Sequence, residues 1–266
     1  MNPRDLVRTA AEAVRTHKLR SALTVLGIMI GITAVILSVG LGQGAKADVR
    51  DQIDQLGTNV LVVSPGSTTS SSGVRGGFGS ASTLTMDDAD ALADKTVAPD
   101  VEAVAGVASS SVSLLNGTTN WTTTLTGTTP SWATVRSRTV TSGRFITAAD
   151  EKDAAMVIVL GPDTAQELFD TTNVVGETVT LNGTSLEVVG VLESIESGDD
   201  TSNNDLAIVP FTTYSQRLVG GTDRDSVSSI YVKATSEGTL SAAYQEADAT
   251  LLNLHAVTDA SSADFN

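Results

Sequence analysis

The 266 residues contain no cysteine, only two histidines and few aromatic residues, 4% of the chain. Without cysteine there are no disulfides, no thiol nucleophiles and no thiolate metal sites. That composition is compatible with an oxidising exterior but does not require one. The histidines are His17 and His255, too few for a His/Cys metal centre, and both read as ordinary helix residues. No G-x-S-x-G occurs, so a hydrolase nucleophile elbow has no support, and no G-x-x-x-x-G-K-[ST] occurs to cradle a nucleotide phosphate. The residues point to no enzyme and to no cofactor. Basic residues are scarce as well: 16 Lys and Arg against 31 Asp and Glu leave a formal charge of −15. Beyond the N-terminus they form no basic patch, which argues against nucleic acid as a partner. Few lysines among many acids would also suit a high-salt habitat, a matter of solvation rather than activity.

What the chain does have is one uncharged, mostly apolar run, SALTVLGIMIGITAVILSVGL, over 21–41. At about 1.5 Å per helical residue it reaches roughly 31 Å, enough to cross a bilayer core once. Arg4, Arg8, Arg15, Lys18 and Arg20 precede it, against Asp5 and Glu12. The positive-inside rule therefore puts the N-terminus in the cytoplasm and the acidic bulk outside, in a single-pass plasma-membrane topology. Ala45-Lys46-Ala47 has the small-x-small form of a signal-peptidase site, but a signal core is usually about 7–15 residues and this run is longer, which favours a retained anchor.

Residues 1–20 read as a cytoplasmic amphipathic helix, with Leu6, Val7, Ala10, Ala11 and Val14 on one side over 3–18, able to lie on membrane lipid. Gly27 and Gly31 form a G-x-x-x-G pair that would let a second helix approach closely. Past Leu41, Val49, Ile53 and Leu56 recur with Ala45 on one helical face, so 42–57 reads as a stalk helix ended by Gly57. A break at Gly40, Gly42 and Gly44 is the competing reading, since each glycine weakens a helix interior by about 1 kcal/mol.

Asn59–Val63 then reads as a buried strand, and the Ser/Gly-rich stretch 67–82 as a loop without periodicity. Thr85 is a helix cap, with Asp87 and Asp88 in the first turn. A Thr-rich β region follows to about Thr147, with Asn116-Gly117 as a hairpin signal. The pattern changes near Met156: MVIVL is a strand, Gly161-Pro162 a turn and Asp163 to Phe169 a short helix. Asn182-Gly183 joins two alternating runs, LAIVPF and SIYVKA are further strands, and Thr239 to Leu254 is a helix. Strands mixed with short helices give an α+β fold. Asp199, Asp200, Asn203, Asn204 and Asp205 offer oxygen ligands to Ca²⁺, but their spacing fits no EF-hand. Asn116, Asn120 and Asn182 open N-x-T sequons, relevant only in a glycosylating host.

Several stretches in order resemble one family. HKLRSALTVLGIMIGITAVI, IDQLGTNVLVVSPG, VTSGRFIT, VIVLGPDTAQELF, VVGETVTLNGTSLEVVGVL and LAIVPF are similar to the N-terminal half of ABC-transporter permeases of the macrolide-exporter and lipoprotein-release superfamily. Each phrase is weak alone and the ordered set is specific. The resemblance implies a porter-like extracytoplasmic subdomain from 58–147 and 223–266, with a second small subdomain inserted at 148–222. It also implies an ABC ATPase subunit and a second permease subunit, homo- or heterodimeric, as partners. Family members continue into three more membrane helices, so a chain stopping at Asp264-Phe265-Asn266 is expected to be the N-terminal part of such a permease. The competing class is a single-pass extracellular binding or adhesion module, distinguished by whether further hydrophobic spans follow in frame.

Overall fold

A computed structural model describes Leu19, Leu23 and residues 26–36, 59–66, 83–195, 203–219, 224–257 and 264–265. The chain divides into two units, Met1–Asp54 and Gln55–Asn266. In the first, Leu19, Leu23 and 26–36 are helical. Large apolar side chains there, Ile28 and Ile36 among them, are exposed. The remainder of 21–41 and the whole of the expected stalk, 42–57, lie outside the described residues. Among the described residues no helix is long and apolar enough to cross a membrane.

The second unit is built on one nine-stranded sheet. Its strands are β1 (Val60–Val63), β2 (Val101–Asn116), β3 (Thr119–Thr128), β4 (Val140–Gly143), β5 (Val157–Leu160), β6 (Thr178–Leu181), β7 (Thr184–Leu192), β8 (Leu206–Pro210) and β9 (Ser229–Ala234). The spatial order is β1-β9-β2-β3-β8-β5-β7-β4, and β6 pairs with β7 and touches β2. Neighbours are antiparallel except β3 with β8 and β5 with β7. The helices are α1 (Met86–Ala93), α2 (Trp132–Val135), α3 (Ala148–Lys152), α4 (Pro162–Phe169), α5 (Phe211–Thr213, continued as a π turn Tyr214–Leu218) and α6 (Leu240–Leu254). Helices and strands mix along the chain, an α+β unit as expected.

Alternation along the strands creates two apolar layers. Val104, Ile158, Leu160, Ala207 and Val209 face one side with α1, α4 and α6, through Leu92, Leu168 and Leu251. Ala105, Val157, Val159, Leu206 and Ile208 face the other, with Trp132, Val135 and Ile146. All four residues of β5 are buried, the signature of a strand covered on both faces. It sits deep in the sheet because β7 and β8 flank it.

Local signals explain the turns. At Asn182-Gly183 both residues have positive φ, 50° and 83°, and Leu181 pairs with Thr184, so this is a two-residue hairpin with both central residues left-handed. At the other signal Asn116 itself pairs with Thr119. Gly117, with φ of 59°, takes the first central position instead, the arrangement in which glycine leads the turn. Asn116 is freed to donate from Nδ2 to the Leu168 carbonyl at 3.0 Å.

Three boundaries differ from the sequence reading. The helix expected from Asp163 starts at Pro162, with Gly161 as N-cap, because proline at the first helical position loses no hydrogen bond. The strand LAIVPF ends at Pro210, and Phe211 opens a helix instead. Short helices α2 and α3 interrupt the region read as continuous β and its border.

Candidate functional site

β1 is the first described segment after the expected stalk, and among the described residues β9 is its only strand partner. Asn59 fixes its start: Nδ2 donates to the Ala234 carbonyl at 2.6 Å, and the Ala234 amide donates back to the Asn59 carbonyl at 2.8 Å. Beyond its end, Pro65 forms an isolated antiparallel bridge with Phe265. The Gly66 amide and the Thr83 hydroxyl both donate to the Asp264 carbonyl, at 2.6 and 3.0 Å. Gly66 must be small here, since a Cβ would lie 2.7 Å from the Asp264 carbonyl carbon. β1 and the last described residues therefore share one clamp.

His255 completes the clamp. It caps the C-terminus of α6. Its Nδ1 is 2.8 Å from Asp264 Oδ1, its Nε2 is 3.3 Å from Asp88 Oδ2, and Phe265 meets the ring edge-on at 5.7 Å. Asp88 in turn accepts from the Thr85 amide and hydroxyl, both at 2.8 Å, in a capping box. His255 is thus more than the ordinary helix residue the sequence suggested: it ties α6, α1 and the chain's last described residues together. Both ring nitrogens face carboxylates, so neither is aimed at a substrate proton. No spacing rule could have paired His255 with Asp88.

A second joint fixes α3 and α5. Arg144 donates to Asp150 in bidentate fashion at 2.6 and 3.1 Å, and Asp150 accepts from the Thr147 amide at 2.8 Å and hydroxyl at 2.6 Å. Burial pushes the Asp150 carboxyl up, but the Arg144 and Thr147 hydrogen bonds and the Arg144 charge outweigh it and hold it below the ordinary range. Glu151, next along, accepts from the Phe211 and Thr212 amides at 2.8 and 3.0 Å. There burial wins, and its carboxyl is raised.

The loop residues weighed for Ca²⁺ are used structurally where they are described. Asp205 accepts from Trp121 Nε1 and the Thr164 hydroxyl, each at 2.9 Å, and Asn204 bonds both backbone groups of Ile195. Asp199 and Asp200 lie outside the described residues. Among the described residues no group of three or more His, Cys, Asp or Glu could hold a metal.

Sequence reasoning missed a cleft of about 240 Å³ on the face that carries Trp132. Its walls include Ser109, Thr124, Thr126, Arg136, Arg138 and Tyr231. Arg136 lies over the Tyr231 ring, 5.2 Å from its centroid. Arg138 is only 7% exposed and donates to the carbonyls of Asn203 and Glu193 at 2.8 and 3.1 Å. Burial, then the Arg136 charge, lowers its pKa. Two arginines two positions apart in so acidic a chain were the available signal.

A family model described as the MacB-like periplasmic core domain matches residues 21–250. The chain belongs to that family. The Macrolide export ATP-binding/permease protein MacB of Azoarcus sp. (strain BH72) is 36% identical over 258 residues, 96% of this chain and 37% of the relative. The protein of the same name from Hyphomonas neptunium (strain ATCC 15444) is 32% identical over 257 residues, 96% of this chain and 38% of the relative. The chain thus spans less than two-fifths of the length of these curated relatives. Among solved structures, the periplasmic region of MacB from Actinobacillus actinomycetemcomitans superposes with a TM-score of 0.64 at 23% identity, over 80% of this chain and 90% of that one. The extracellular domain of the noncanonic ABC-type transporter YknZ from Gram-positive bacteria gives 0.60 at 21%, over 78% and 98%. At those identities the two structures speak to the fold alone.

The residues proposed for function lie in the N-terminal unit or at its border. Gly27 and Gly31 fall in the helical stretch 26–36, where a Cβ on either would meet nothing within 4 Å. Val49, Ile53 and Leu56 lie outside the described residues.

Proposed function

We propose that this chain is the N-terminal part of the permease subunit of an ABC-type export or extraction transporter. One observation carries the reading: a single family match runs from the apolar segment through the folded unit, residues 21–250. On this reading 21–41 crosses the plasma membrane once, with 1–20 cytoplasmic and residues from 58 onward extracytoplasmic. The charge asymmetry about the run supports that orientation. Residues 58–147 with 223–266 make a porter-like subdomain and 148–222 an inserted one. The contiguity of β8, β5 and β7 in the sheet order, between β3 and β4, supports the division.

ATP is hydrolysed by a partner ATPase subunit, and a second permease subunit completes the transporter. The relatives' names couple macrolide export to ATP binding, and a macrolide-like cargo is a reasonable first substrate to test. Gly27 and Gly31 pack a neighbouring membrane helix. The stalk face of Val49, Ile53 and Leu56 transmits movement between the membrane and the external unit, because a stiff helix carries displacement that a flexible chain absorbs. No residue of this chain does covalent chemistry.

The test inserts three glycines between Arg50 and Ile53 of the full-length protein and compares ATP hydrolysis with transport in one reconstituted preparation. Hydrolysis should persist and transport should collapse, with the external unit still folded. Normal transport with the insert reduces the stalk to a tether. Absence of ATP-dependent transport even without the insert removes the permease reading and leaves the binding module.

A further inference from the structure

The Arg136–Arg138 cleft shares no lining residue with the clamp or with α3, and its chemistry is that of a receptor. A buried cation is costly unless it is paired. Arg138 is buried beside a second arginine, and among the described residues its Nε has no hydrogen-bond partner. Glu193 moderates its charge, but that carboxylate is bonded to the Thr139 hydroxyl, and Arg138 takes only the Glu193 backbone carbonyl. Arg136 is positioned by Tyr231 rather than by a carboxylate. Among the described residues its guanidinium donates only one long hydrogen bond, 3.4 Å, to Asn203 Oδ1.

Four other residues of the lining carry hydroxyls. Ser109, Thr124 and Thr126 come from β2 and β3, and Ser229 from β9. They share a face because each lies an even number of residues from its strand neighbour in the cleft. Guanidinium groups and several hydroxyls thus line one cleft and together outnumber its acceptors as hydrogen-bond donors. A carboxylate accepts mainly within its own plane; a tetrahedral oxyanion carries more charge and presents acceptors out of any single plane, which suits two guanidinium groups with several hydroxyls.

We propose that this cleft binds a compact tetrahedral oxyanion, phosphate or a phosphomonoester. Arg136 and Arg138 neutralise its charge and the β-strand hydroxyls orient it. Such a ligand supplies the counter-charge that the paired arginines lack among the described residues, in a chain whose net charge would otherwise repel it.

The test is calorimetric titration of the full 266-residue chain with inorganic phosphate, which reads the free anion, and with glycerol phosphate, which reads a phosphomonoester headgroup. At least one should bind, more weakly as ionic strength rises. Arg136→Gln should weaken binding by about tenfold or more with an unchanged melting temperature, and Arg136→Lys should fall between, since a point charge keeps attraction but loses the fork. Arg136 is only half-buried, so its variants test the site without removing the buried Arg138 side chain. Two results overturn the proposal: neither ligand binds at up to about 10 mM, an affinity too weak to matter, or Arg136→Gln binds as the parent does.

Discussion

Replacing Asp150 by alanine tests whether the joint at α3 stabilises the external unit as its geometry implies. The substitution removes the acceptor for the Thr147 amide and hydroxyl and for both Arg144 nitrogens. Loss of the cap costs about 1 kcal/mol. The ion pair adds only about 0.5 kcal/mol, because the Arg144 side chain is 47% exposed and solvent screens it. The sum is about 1.5 kcal/mol near neutral pH. The sign with pH follows from the lowered carboxyl. A carboxyl held below its unfolded value stabilises the fold fully above the unfolded pKa, and that contribution disappears as pH falls through the lower, folded one. Urea unfolding followed by tryptophan fluorescence reads this directly. Trp132 is buried and stacks on Phe145 at 5.9 Å, the residue after Arg144. A cycle of Asp150→Ala, Arg144→Ala and the double variant isolates the pair. A penalty below about 0.5 kcal/mol, within the range of ordinary surface substitutions, or one that stays constant from neutral to strongly acid pH, would refute the argument.

Gly66→Ala should loosen the clamp by about 1–3 kcal/mol, the range for overpacking, because its Cβ would meet the Asp264 backbone. Amide exchange in β1 is the measurement, and exchange as slow as in the parent would show that the clamp tolerates the methyl. Replacing Gly27 and Gly31 together by leucine should impair assembly and transport of the full-length protein while the unit from Gln55 onward stays folded. Unchanged assembly would mean that the pair faces lipid.

What could be read in the sequence was local. The Thr85 cap, the β5 run and the Asn182-Gly183 turn are each decided by a few neighbouring residues, and each is present. Asn116-Gly117 marked a hairpin, but its register shifted by one residue, because a glycine can serve at either central position. LAIVPF read too long because hydrophobicity alone does not see the backbone turn at Pro210, where a helix begins. The parallel pairing of β3 with β8 could not be read, since nothing in Thr124–Thr128 names Leu206–Pro210 as its partner. The clamp and the arginine cleft were hidden for the same reason: His255 and Asp88, or Arg136 and Tyr231, meet only through the completed sheet. The membrane and stalk readings fall largely outside the described residues and stand on periodicity and charge.

That parallel pairing also constrains how an external unit of this kind could move. On the proposed reading, a swing of the inserted segment against the rest would have to open the seam between β3 and β8, where five residue pairs are in register. Each ladder hydrogen bond is worth about 0.5–1.5 kcal/mol net, and more if its groups are left buried without partners. Both apolar layers also continue across the seam: Leu125 and Ala207 lie in one, Val107 and Ile208 in the other. Separating the halves would therefore expose core on both faces at once. Nothing in the proposed mechanism supplies a replacement for those contacts. A displacement arriving through β1 passes to β9 and then to β2, a 16-residue strand that pairs with β9 along its first half and with β3 along its second. On the proposed reading the sheet can thus take the load as one plate, and movement within a transport cycle is better placed in the segments flanking it than inside it.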